Sequence, residues 1–276
     1  MNTAVQDHLR AGELDQAIAL MNAEVRQHPA DIDRRGILAE LLCISGNLER
    51  ADAILDSIAT LDPKSAVGVA LFRQIVRAEQ ARQQFLQEGR LPEFVKRPTG
   101  AMELELRASI ALREGADTEA AALLAEAEAV RPEVAGSANG SRFDDFRDLD
   151  DLSAAHLEVL TATGKYYWIA LADVKSLEFR KAERRRDFIW RRASLSVADG
   201  PEGEIFIPSV YPSGKDGVAS HFRLGYETDF VGKEGGPKFG VGLRTFLVGD
   251  NAVTILELDR LEFEARPAAR DPDHND

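Results

Sequence analysis

The sequence predicts an α+β chain in two parts. Helical hairpin repeats stack into a superhelix over residues 1–135, and a mainly-β module, a curved sheet or small barrel with a leading helix, occupies 143–265. Three observations predict it. A glycine-headed, proline-closed segment recurs through the first half. After Gly164 the pattern changes to short, strand-like segments rich in turn residues. Between the two lies an aspartate-rich stretch, FDDFRDLDDL, beginning at Phe143. Residues 266–276, dominated by charge and proline, are expected to be a disordered tail.

The recurring segments are AGELDQAIALMNAEVRQHP, SGNLERADAILDSIATLDP and EGADTEAAALLAEAEAVRP, which align without gaps. Gly12, Gly46 and Gly115 head them, Ala17, Ala51 and Ala120 follow five residues later, and Pro29, Pro63 and Pro132 close them. The first two glycines are 34 residues apart and the third lies a further 69 on, close to two periods. Glycine permits the left-handed turn between helices, alanine permits close approach of the paired helices, and proline ends the second helix. Val5, Ala39 and Ala108, seven residues before each glycine, supply the matching small side chain on the first helix. The pattern resembles tetratricopeptide (TPR) repeats, although the Trp and Tyr of the full consensus are missing. In the missing period, 67–88 reads as one long helix and 89–100 as a connector. Residues 101–113 alternate like a strand, but their Ala, Leu, Glu and Arg content favours helix. Such helical walls offer concave grooves to peptides or helices.

Residues 133–141, small and polar, read as a linker. For Asp144, Asp145, Asp148, Asp150 and Asp151 three readings stand in order: a solvated loop capping helix starts, a docking surface for a basic segment, and a cation site. Residues 152–161 read as the leading helix. Strands are then expected near 166–170, 174–179, 193–197, 204–207, 243–248 and 255–263, with a bulge or corner at Asp259 and Arg260 where the inward parity slips.

The net charge of −13 argues against nucleic acid and anionic membrane as partners. A single cysteine, Cys43, in an apolar helical run reads as a buried thiol, and five scattered histidines offer no ligand pair. The N-terminus lacks the apolar core of a signal peptide and no apolar run approaches about 20 residues, so a cytoplasmic location is expected. KAERRRDFIWRR (181–192) reads as a solvated loop or a link to the aspartates. GKEGGPKFGVG (232–242) lacks the lysine-serine ending and helix of a phosphate loop and reads as a hairpin. No nucleophile elbow, HExxH or triad spacing occurs, so the expectation is a protein that is no enzyme and uses no cofactor or metal. Tyr166, Tyr167, Trp168, Trp190, Arg191 and Tyr211 are the candidates for partner-binding or interdomain contact, with core packing favoured over exposure for the aromatics.

The stretches FDDFRDLDDL, LEVLTATGKYYWIALADVKSLEF, RRRDFIWRRASLSV, GEIFIPSVYPSG, GVGLRTFLVGD and LELDRLEF, in that order over 143–263, resemble the ImpE/SciE (TagJ) family of type VI secretion accessory proteins. Ala170 and Leu171 depart from the proline-containing turn expected of relatives. The resemblance implies a cytoplasmic, non-enzymatic, virulence-associated adaptor. It implies binding to the N-terminal helix of the small sheath subunit (TssB type), and through it a link to the ClpV-type ATPase that recycles sheath. The alternative is a generic TPR-like scaffold for another cytoplasmic protein.

Overall fold

The computed structural model describes residues 3–212 and 218–264, so the expected tail lies outside the described residues. The helical half comprises α1 (Thr3–Arg10), α2 (Leu14–Gln27), α3 (Ile32–Ile44), α4 (Leu48–Leu61), α5 (Ala66–Glu88), α6 (Gly100–Glu114) and α7 (Asp117–Val130). Gly12, Gly46, Gly89 and Gly115 turn the chain between helices at φ of 73°, 79°, 79° and 74°, where a Cβ would be strained. Val5, Ala39, Ala108 and their counterparts Ala17, Ala51 and Ala120 are all fully buried, which is why these contacts admit only small side chains. The alternating stretch 101–113 is helical, capped by Thr99, whose Oγ1 accepts from the Met102 amide.

Helix α5 breaks the pattern. It ends at Gly89 like the other first helices, but no antiparallel helix follows it. Seven residues before Gly89, where the other hairpins place Val or Ala, stands Arg82. The space of the missing helix is taken by strands.

Those strands are β1 (Glu93–Phe94), β2 (Gly136–Ala138), β3 (Ser141–Phe143), β4 (Phe146–Asp148), β5 (His156–Leu160), β6 (Tyr166–Ala170), β7 (Val174–Phe179), β8 (Trp190–Val197), β9 (Glu202–Pro208), β10 (Thr228–Val231), β11 (Phe239–Gly242), β12 (Thr245–Val248), β13 (Asn251–Thr254) and β14 (Arg260–Phe263). A four-residue helix, α8 (Ser220–Arg223), precedes β10. Nine strands form one open sheet in the order β1-β6-β5-β9-β8-β7-β14-β2-β3, so the curved-sheet form holds and the barrel does not close. A three-stranded sheet, β13-β12-β4, and the β10–β11 hairpin complete the half. The helical connector contributes β1, which pairs in parallel with β6.

Two local expectations are corrected. Residues 152–161 are a turn followed by β5, not a helix. All five residues of β5 are buried, because His156, Glu158 and Leu160 face the helices while Leu157 and Val159 face the inner β core. Burial on both faces erases the polar alternation that marks a strand. Residues 133–141 are no free linker: Gly136 lies so close to β14 that a Cβ would stand 2.2 Å from the Glu262 carbonyl oxygen. At the other predicted irregularity, a 3₁₀ turn (Ile255–Glu257) leads into β14, giving the corner near Asp259 and Arg260.

One apolar cluster runs from Val5 in α1 through α3, α4 and α5 to Tyr166, Trp168, Trp190, Phe206 and Leu224. Phe85 of α5 meets the Trp168 ring edge-on at 4.9 Å, and Phe72 meets Trp190 at 6.2 Å. Such pairs add about 0.5–1.5 kcal/mol each beyond the area they bury. The halves therefore share a core.

Candidate functional site

At the joint an ionic network is buried inside this shared core. Strand β5 holds Glu158 facing α5. Its Oε1 accepts from Arg82 Nε at 2.8 Å and from the Tyr166 hydroxyl at 2.5 Å, and its Oε2 accepts from Arg82 Nη2 at 2.9 Å and from Arg244. Trp168 Nε1 donates to the Tyr166 oxygen at 2.6 Å. On α5, Arg82 also donates to Glu79 at 3.1 Å, and the other Glu79 oxygen accepts from Trp190 Nε1 at 3.0 Å. Arg244 continues the chain to Asp148 at 3.2 Å, and Asp148 accepts from the Tyr211 hydroxyl at 2.6 Å.

Burial and pairing pull these carboxyls in opposite directions. Burial alone would raise Glu158, but Arg82 and Arg244 outweigh it and hold the carboxyl well below its ordinary range. Burial pushes Glu79 and Asp148 up despite their arginine neighbours. Asp150 is pushed up to about 7 by burial and by the adjacent Asp148. Beside the network, Glu105 of α6 accepts from the Ala155 amide at 2.8 Å and meets His156 Nδ1 at 2.7 Å, with the imidazole stacked on Trp168 at 3.6 Å. Desolvation makes such a network a poor source of net stability, but losing one member strands the rest. Its main consequence is geometric: α5, α6, β5 and β6 fit in one register.

Above the Glu79–Arg82 pair, α3, α5 and the β half enclose a cavity of about 310 Å³. Ile44, Leu86 and Val210 give it apolar walls, and the carboxamides of Gln83 and Gln87 reach it from α5. Cys43 also lines it, and burial raises the thiol well above its usual value, which leaves it protonated and unreactive. The basic stretch does not approach the aspartates, as one reading had it. Its 3₁₀ turn, Arg185–Phe188, packs on α3, with the Arg186 guanidinium 4.6 Å from the Phe72 ring centroid. Among the described residues no group of three or more His, Cys, Asp or Glu could hold a metal ion, and no helix is long and apolar enough to cross a membrane.

Residues 140–262 match the family model for the ImpE protein, and residues 8–75 match a tetratricopeptide repeat model. The C-terminal half is an ImpE domain. Over 263 residues the chain is 27% identical to the type VI secretion system accessory component TagJ of Pseudomonas aeruginosa, spanning 95% of this chain and 92% of that protein. The fold superposes on the crystal structure of protein VPA1032 from Vibrio parahaemolyticus with a TM-score of 0.88 at 28% identity, over 95% of this chain and 98% of that one.

Within the ImpE domain the six residues singled out from sequence separate into two groups. Tyr166, Trp168, Trp190 and Tyr211 are buried around the network, the first three against the helical half. Tyr167 points to the opposite side of β6 and packs on the domain's own core. Arg191 is interior to the domain, donating to the Ile255 carbonyl with its guanidinium 4.6 Å from the Phe179 ring centroid. Apart from Asp144, which is exposed, the aspartates are not a solvated capping loop. Asp148 is fully buried, and Asp150 is 7% exposed with its oxygens accepting from the Leu152 and Gly240 amides, both at 2.8 Å. Asp145 pairs with Arg131 at 2.6 Å and Asp151 with Arg147 at 2.5 Å. Sequence reasoning missed Glu79, Arg82, Glu158 and Arg244 altogether. The one available signal was Arg82 in a slot that elsewhere holds Val or Ala.

Proposed function

We propose that this chain is a cytoplasmic, non-enzymatic accessory protein of a bacterial type VI secretion system. In this reading it binds the N-terminal helix of the small sheath subunit and so links sheath to the ClpV-type ATPase that recycles it, with no cofactor or metal. The observation that carries the reading is that similarity to TagJ spans 95% of this chain, across both the helical repeats and the ImpE domain. Two further features support it. Helical repeats provide concave surfaces suited to peptide or helix capture. The buried charges are spent on one another, while what stays open at the joint is a cavity with free carboxamides, a lining that suits binding. Tyr166, Trp168, Trp190 and Tyr211 then act as joint residues that shape the binding surface, with Tyr167 and Arg191 supporting them from inside the ImpE domain. Calorimetric titration of the intact chain with a synthetic N-terminal segment of the small sheath subunit from the same organism tests the reading. Saturable heat at a defined stoichiometry is expected, and a flat titration would refute it.

A further inference from the structure

The cavity at the joint has the dimensions and lining of a receptor for a single side chain. At about 310 Å³ it is too small for a helix, which is roughly 10 Å across, yet ample for one large side chain. A helix lying over its mouth keeps its own backbone groups paired, so only side chains need to enter. Ile44, Leu86 and Val210 offer that side chain an apolar wall. The floor is held rigid by the Glu79–Arg82 pair and by Trp190, so the site is organised before anything binds.

The polar part of the lining states what should flank the apolar group. Gln83 and Gln87 lie one helical turn apart on α5, and their carboxamides have no hydrogen-bond partner among the described residues. Arg223 reaches the cavity from the other side. Its Nε is shielded from solvent and unpartnered among the described residues. The rest of its guanidinium meets Ser220 Oγ at 3.1 Å and an Asp15 carboxylate at 3.5 Å that is 74% exposed. A shielded donor on a weakly compensated cation calls for an acceptor, best an anionic one.

We infer that this cavity receives one large apolar side chain of an amphipathic partner helix, with a neighbouring acidic side chain of that helix accepting from Arg223. The inference rests on the partner reading above and adds the place and chemistry of the contact. It excludes the competing apolar surface on the first turns of α5, where Val67 is 84% exposed and Leu71 39%.

The test titrates the full chain with the N-terminal segment of the small sheath subunit. Gln83→Trp, which fills the cavity from a half-buried position, should weaken binding on the order of tenfold or more, about 1.4 kcal/mol or above. Arg223→Ala should weaken it several-fold, and that loss should vanish when the segment's acidic residue is also removed. Val67→Asp should bind like the parent. Should Gln83→Trp fail to fold, judged by circular dichroism and its thermal midpoint, Gln87→Trp takes its place. Equal binding by parent and filled variants would overturn the inference and leave the partner reading standing. No binding to the parent chain would overturn both.

Discussion

Glu158 receives donors from α5, from β6 and from Arg244 just ahead of β12, all of them buried side chains. Replacing it by glutamine removes the carboxylate that two buried guanidinium groups share, leaving only Glu79 beside Arg82 and Asp148 beside Arg244. Breaking a buried pair in this way costs about 3–5 kcal/mol, so Glu158→Gln should lower the urea midpoint more than Tyr166→Phe, which removes one donor to the carboxylate and the acceptor of Trp168 Nε1, about 1–3 kcal/mol, and leaves the ion pairs intact. The charge also sets a pH dependence. In the unfolded chain this glutamate titrates near its ordinary value of about 4.3, whereas in the fold its carboxyl is held well below that range. Below the ordinary value the unfolded state therefore binds more protons. The stabilisation is complete above it and drains away as the pH falls toward the folded value. Denaturant titrations across acid pH should show a steep loss of stability in the parent and a flatter acid limb in Glu158→Gln.

Among the elements, α5 and β5 decide the architecture. Each ordinary hairpin meets its partner through a small residue, so Ala39→Leu or Ala108→Leu should overpack a fully buried contact and cost about 1–3 kcal/mol in thermal or chemical unfolding. In α5 the same slot carries Arg82 because the facing element is β5, with a glutamate to meet it. The helical hairpins were legible because glycine, alanine and proline each enforce a local geometry wherever they recur. β5 was not, because its two faces meet two different cores and its sequence lacks a strand's alternation. β1 and β2, of two and three residues, owe their strand geometry to remote partners, β6 and β14, which no local pattern announces. The aromatic members of the joint could be picked out by type. The charged ones could not, since Arg82 and Arg244 lie 76 and 86 residues from the glutamate they share.

At the scale of the whole molecule, one apolar cluster threads both halves and the ionic network fixes their register. Unfolding should therefore be a single cooperative transition, with calorimetric and van't Hoff enthalpies that agree; two resolved transitions would mean that the halves fold independently. A joint of this rigidity gives the repeat wall and the ImpE domain a common cavity, and so a place where a partner helix can touch both at once. Hydrogen exchange of the intact chain, with and without the sheath-subunit segment, reports on that place most directly. Slowed exchange should appear on both sides of the joint, in α5 around Gln83–Gln87 and in the ImpE domain where β9 leads to Tyr211. Slowing confined to α2, α4 or α7, or none at all, would contradict it.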